Sequence, residues 1–163
     1  MIEIKPFTKR DENVVKRIVV PKLQVRFVST AEEFIASATE TMHLYVIYYH
    51  GEIIGFFKLD TAYSEQMKFC PINTLGLRTF VISQHYQGKG IGTAVIERIL
   101  HYTAAHYARY DAIYLTVNCK NPAAKRCYEK SGFQSAGELY HEGDFGPQEI
   151  MFAYNHHDLK SCD

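Results

Sequence analysis

The chain has no net charge to offer a partner: 18 lysines and arginines stand against 18 aspartates and glutamates across 163 residues. With no long-range field of either sign, nucleic acid and an anionic membrane are not expected partners. No apolar stretch approaches the roughly 20 residues that span a bilayer. The opening Met1-Ile2-Glu3-Ile4-Lys5-Pro6 lacks the basic start and apolar run of a signal peptide. Cysteine is sparse. Cys70, Cys119, Cys127 and Cys162 form no C-x-x-C pair, so neither a zinc site nor a disulfide framework is expected. The eight histidines, His156-His157 among them, show no ligand spacing, and no metal is expected. Repeats, low-complexity tracts and Pro/Gly/Ser-rich linkers are missing too. These absences leave a cytoplasmic globular protein with reduced thiols, read as one domain over residues 1–155 and a polar tail over 156–163. A homodimer is compatible with all of this.

Hydrophobic residues make up 47% and charged ones 22%, enough apolar material for one core. Residues 2–5 read as a short strand closed by Pro6. Thr8 is placed to cap a helix running to about Val20, with Val14, Val15, Ile18 and Val19 along one side, until Pro21 stops it. A second helix is expected over 31–39, capped by Thr30. The aromatic, β-branched run 43–49 predicts a strand, His50-Gly51 a turn, and 52–59 the returning arm of a hairpin. Residues 61–72 read as a loop. Residues 75–83 form a further strand, with Leu77, Thr79 and Val81 on one face and Arg78, Phe80 and Ile82 on the other.

The periodicity then changes. Ile91, Val95, Ile99 and Tyr102 recur at helical spacing, predicting one long helix from Ile91 to about Tyr107. Residues 112–117 are a strand. Asn121-Pro122 caps and opens a helix that Gly132 closes, Phe133 begins a strand, and 150–154 supplies the last one. Seven strands and four helices in this order predict a single α/β (α+β) domain. Its sheet is mixed and mostly antiparallel, with parallel pairing from the late strand–helix–strand units.

Gly88, Gly90 and Gly92 sit where a strand becomes a helix, in the segment Gln87-Gly88-Lys89-Gly90-Ile91-Gly92-Thr93. Glycine permits positive φ and close approach of a ligand. Unpaired amides at the helix start, with the helix dipole behind them, favour a phosphate or pyrophosphate. Thr93 could add a hydroxyl and Gln87 a side-chain amide. A flexible turn with glycine caps is the plainer alternative. A P-loop is disfavoured because Lys89 precedes Gly90 and no Lys-Ser/Thr follows the last glycine. A dinucleotide fingerprint is disfavoured because the spacing is G-x-G-x-G.

About thirty residues on stands Asn121-Pro122-Ala123-Ala124-Lys125-Arg126-Cys127-Tyr128-Glu129-Lys130-Ser131-Gly132-Phe133. On a helix, positions 121, 124/125 and 128 share a face, so Asn121 and Tyr128 would point at one ligand. Asn121 also reads as a plain helix cap. Cys127 lies about 100° around the helix from Tyr128 and is read as a buried thiol facing elsewhere. Lys125, Arg126 and Lys130 form a basic face.

The two segments resemble the GCN5-related N-acetyltransferase (GNAT) superfamily. Gln87-x-x-Gly90-x-Gly92 matches its acetyl-CoA pyrophosphate motif Q/R-x-x-G-x-G/A. Asn121, Ala124, Tyr128, Gly132 and Phe133 match its second block, N-x-x-A-x-x-x-Y-x-x-x-G-F. The resemblance implies acetyl transfer from acetyl-CoA to a primary amine of a small molecule, by direct attack in a ternary complex. Cofactor contacts are then expected from Phe80, Val81, Ile82, Gln87, Gly88, Lys89, Gly90, Ile91, Gly92, Thr93, Asn121 and Ala124. It implies an oxyanion-stabilising amide around Phe80 to Ile82, Asn121 on the pantetheine arm, and Tyr128 beside the thioester sulfur as the acid. The basic face would reach the 3′-phosphate.

An alkylamine with a pKa near ~10.4 must first lose a proton. Polyamine acetylases of the superfamily often place a glutamate on the strand before the glycine turn, but here that stretch is Leu77-Arg78-Thr79-Phe80. Asp60, Glu138 or a water chain are the candidate bases. Acceptor choice is expected from residues 21–35, the 60–72 loop and the turn 141–146, where Glu142 and Asp144 would attract a cationic amine. The segment 137–151 is similar to bacterial diamine or spermidine acetyltransferase-like members. The rival readings are a protein or peptide N-acetyltransferase and a non-catalytic coenzyme A-binding module.

Overall fold

A computed structural model describes residues 1–20, 30–143 and 145–155. Its strands are β1 (Ile2–Pro6), β2 (Met42–Tyr49), β3 (Glu52–Asp60), β4 (Thr74–Ile82), β5 (Ala112–Asn118), β6 (Gln134–Tyr140) and β7 (Gln148–Tyr154). The helices are α1 (Glu12–Lys16), α2 (Ala31–Ala36), α3 (Tyr63–Gln66), α4 (Ile91–His106) and α5 (Pro122–Lys130). All seven strands form one sheet in the order β1-β2-β3-β4-β5-β7-β6. Every neighbouring pair is antiparallel except β4 with β5.

The first helix is shorter than its apolar spacing predicts. Thr8 and Asp11 form a capping box over a 3-10 turn, Lys9–Asp11, and α1 then ends at Lys16. The second stops at Ala36, held at its start by the reciprocal Thr30 and Glu33 box. The reading of 61–72 as a plain loop missed α3, a single turn whose Tyr63 is buried. One turn is too short to leave a periodic signal. The second late strand–helix–strand unit makes no parallel pair, because β7 inserts between β5 and β6.

Two apolar clusters sandwich the sheet. Ile47, Phe57, Leu59, Leu75, Leu77, Ile82, Leu115 and Met151 pack with Val95, Ile96 and Ile99 of α4 and Tyr128 of α5. Val46, Phe56 and Val81 pack on the other face with Val15 of α1 and Phe34 of α2. Leu77 and Val81 therefore face opposite ways, against the alternation expected for this strand. The cause is a β-bulge. Phe56 pairs with Val81 but Lys58 pairs with Arg78, so β4 fits one extra residue, and Thr79 takes a φ of +53°. Phe80 and Ile82 thereby rejoin the α4 face.

The bulge needs room. A β-carbon on Gly55 would stand 2.2 Å from the carbonyl oxygen of Val81, a backbone atom that cannot swing away. Gly55→Ala should therefore destabilise the domain by about 1–3 kcal/mol, the range for overpacking a tight interior. Urea unfolding measures this, and an unchanged midpoint would contradict the packing.

Candidate active site

β4 and β5 pair through only three residue pairs, Thr74 with Ala112, Leu75 with Ile113 and Gly76 with Tyr114. Beyond Gly76 the two strands part. Their facing backbone groups lack the ladder partners that a parallel pair normally supplies, and the gap becomes a cleft of about 620 Å³. Leu77 to Ile82 form one wall and Thr116, Val117 and Asn118 the other.

The glycine turn closes one end. Gly88 and Gly90 have φ of +76° and +79°, and Gly90 is the cap of α4, with no side chain bonded to the first amides. A β-carbon at either position would meet nothing within 4 Å, so glycine is set there by backbone geometry, and the space above the amides is open. Gly92 instead lies against α5, where a β-carbon would sit 3.6 Å from the Cys127 sulfur. Gln87 donates from Nε2 to the Ile82 carbonyl at 2.7 Å, bracing the turn against the end of β4.

α5 lines the cleft from the same face. Asn121 caps it by accepting from the Ala124 amide at 3.4 Å, and Asn121, Ala124 and Tyr128 all face the cleft. The Tyr128 ring packs 6.1 Å from Phe80 and 5.5 Å from Phe133. Burial pushes its phenol well above the usual tyrosine range, and its hydroxyl, on a residue that lines the cleft, makes no hydrogen bond among the described residues. It is a protonated donor with nothing to donate to.

The cleft thus gathers Phe80, Val81, Ile82, Gln87, Gly88, Gly90, Gly92, Thr93, Asn121, Ala124 and Tyr128. It leaves out Lys89, which reaches back towards the His85 carbonyl at 3.4 Å, and Ile91, which packs on the core. Cys127 was expected to face elsewhere, yet it is half-buried and lines the cleft between α4 and α5. Of the basic face, Arg126 and Lys130 line the cleft, whereas Lys125 is tied to Glu149 at 2.8 Å.

Neither candidate carboxylate is placed to act as a base. Asp60 is buried outside the cleft lining, accepting from the Ala62 amide at 2.9 Å and from Arg78 Nε at 2.9 Å. Glu138 lies on the edge strand β6, exposed and away from the cleft. Asp144 and residues 21–29, with the tail 156–163, lie outside the described residues.

Sequence reasoning missed Asn118 and Lys58. Asn118 donates to the Phe145 carbonyl at 2.9 Å and ties the end of β5 to the residues just before β7. Lys58 stands on β3 and lines the cleft, only 9% exposed. Burial and the neighbouring Arg78 lower its pKa. The available signal was a lone lysine inside the apolar run Ile53-Ile54-Gly55-Phe56-Phe57-Lys58-Leu59.

Known proteins bear on this geometry. Residues 15–133 match the family model described as the Acetyltransferase (GNAT) family. A probable spermine N(1)-acetyltransferase of Bacillus subtilis subsp. natto is 30% identical over 155 residues, covering 92% of this chain and 96% of that one. A spermine/spermidine N(1)-acetyltransferase of Bacillus subtilis strain 168 matches with the same identity and coverage. An aminoglycoside acetyltransferase solved with coenzyme A superposes with a TM-score of 0.78 at 18% identity, covering 100% of both chains. The Vibrio cholerae spermidine N-acetyltransferase, solved with coenzyme A and spermine, gives 0.70 at 19% identity over 94% of this chain and 95% of that one. The chain belongs to the acetyltransferase (GNAT) family and is an acetyl-CoA-dependent N-acetyltransferase.

Proposed function

We propose that the cleft between β4 and β5 is where the acetyl group passes from acetyl-CoA to the acceptor amine, with Tyr128 as the acid that releases the thiol. The reading is carried by one observation: a buried, unpartnered phenol lines the same cleft that the open amides of the glycine turn close.

The open amides from Gly88 to Thr93 hold the diphosphate, as the start of a helix favours anions. Arg126 and Lys130 reach the 3′-phosphate. Asn121 and Ala124 flank the pantetheine arm, and the backbone amides over Phe80 to Ile82, freed by the parting of the strands, stabilise the charge that develops on the carbonyl oxygen. The neutral amine attacks the carbonyl carbon, the carbon–sulfur bond breaks, and the Tyr128 hydroxyl gives its proton to the departing sulfur. Tyr128 suits an acid because burial raises its pKa and keeps the phenol protonated. With Asp60 held by Arg78 and Glu138 remote, water carries away the amine proton. The enzyme works in the cytoplasm as one domain over residues 1–155 with a polar tail over 156–163. It needs neither nucleic acid nor membrane, and acts as a monomer or a homodimer.

Three outcomes follow from these roles. Tyr128→Phe should lower kcat by about 10²–10⁴-fold, the usual worth of a positioned acid, while leaving the Kd for acetyl-CoA nearly unchanged. An equal loss of binding, read by calorimetry, would remove the phenol from the chemistry. Gly90→Asp brings both a strained φ and a negative charge to the diphosphate, so acetyl-CoA binding should weaken by about 100-fold or more, near 2.7 kcal/mol. Retained affinity would dismiss the turn as the phosphate site. Finally, log kcat/KM should climb with a slope near one as pH rises towards the acceptor's own pKa, ~10.4 for an alkylamine. A plateau setting in near pH 6 to 7 would instead reveal a base on the protein.

A further inference from the structure

We infer that the acceptor is an amine that also bears a carboxylate, received by Lys58 and Arg78 on the face of the sheet opposite the cofactor motifs. The inference rests on the acetyl-transfer reading above and narrows its acceptor.

The two cations share that face by strand register. Phe56 packs with α1 and α2, and Lys58, two residues further along β3, points the same way. Lys58 pairs directly with Arg78 across the β3–β4 ladder. Arg78 stacks its guanidinium 4.7 Å above the Tyr63 ring, and all three residues line the cleft. The diphosphate amides and α5 close the cleft from the other face, so an acceptor entering from this side meets Lys58 and Arg78 on its way to the bulge at Thr79.

The two cations are not equally answered. Like charges directly opposite across two strands destabilise a sheet. Asp60 answers one of them, through its 2.9 Å contact with Arg78 Nε. Asp60 and, at longer range, Glu33 of α2 attract Lys58, but neither reaches its ammonium. That ammonium makes no ion pair or hydrogen bond among the described residues. Lysine is almost never buried to this degree without a partner. The lowered pKa of Lys58 has the same origin, since burial and Arg78 both work against its charge. Asp60 engages only Nε, so other guanidinium donors of Arg78 remain for an incoming oxygen anion. No aspartate or glutamate among the described residues lines the cleft. A polycation would meet the two cations at the cleft wall, whereas an amino carboxylate supplies the contacting anion that Lys58 lacks and leaves its amine free.

The test uses acceptor pairs that differ only by a carboxylate: ornithine with putrescine, and 4-aminobutyrate with propylamine. Spermidine serves as the polycation. Thiol release from acetyl-CoA is followed at one pH with the full chain. The carboxylate-bearing member should show a kcat/KM higher by about tenfold or more in at least one pair, as a charge-assisted hydrogen bond is worth. Lys58→Met should collapse that preference below about threefold, and Lys58→Arg should restore part of it. A preference under tenfold in both pairs overturns the inference, as does spermidine outrunning every carboxylate. So does a preference that survives Lys58→Met undiminished. Those outcomes leave acetyl transfer standing. Absence of thiol release with every acceptor would overturn the transfer reading itself, along with this inference.

Discussion

Two parallel strands that pair briefly and then separate set the terms for this protein. In an ordinary parallel ladder each inward N–H and C=O finds its partner on the neighbouring strand, and an unpaired one carries a penalty of about 1–3 kcal/mol when buried. Past Gly76 and Tyr114, β4 and β5 forgo that pairing. The groups so released face a cleft at the carboxyl ends of both strands, the place where open α/β sheets bind ligands. The helices that complete the site leave from those same ends. α4 starts from the glycine turn after β4, and α5 starts at Asn121 after β5. Tyr128 arrives opposite Phe80 because both helices fall on one face of the sheet.

The bulge at Thr79 is the second half of that arrangement. By adding a residue to β4 it reverses which side chains face α4, so Val81 supports one layer while Phe80 and Ile82 support the other. It also brings the Val81 carbonyl over Gly55, which is why β3 carries a glycine inside an otherwise bulky run. Similarly, Gly76 leaves room for the Tyr63 ring, whose carbon would lie 2.0 Å from a β-carbon there. Glycines within the strands answer to close packing, while those in the turn at 88 and 90 answer to positive φ.

Charge is distributed unevenly over a chain that is neutral overall. Arg126 and Lys130 sit where a phosphate is expected, and Lys58 with Arg78 where an acceptor is expected. Asp60 is withdrawn from chemistry into holding Arg78. A residue that looks like a base in the sequence is thus a structural anion. The buried lysine costs stability in the free protein and gains its justification only with a ligand in place, a pattern typical of functional sites.

Much was legible in the sequence alone. Periodicity and turn chemistry are local, so seven strands, the two long C-terminal helices, the caps Thr30 and Asn121 and the hairpin at His50-Gly51 could be read directly. So could the glycine turn and the helix carrying Tyr128, because their spacing is itself the geometry. What the tertiary structure alone decided depends on pairing between distant segments. The parting of β4 from β5 and the insertion of β7 beside β5 leave no trace in either strand's own pattern. The same holds for the phase reversal at Thr79, the inward placement of Cys127 and the capture of Asp60 by Arg78. A side chain's direction on one element follows from its own backbone; whom it meets there follows from register and packing with elements tens of residues away.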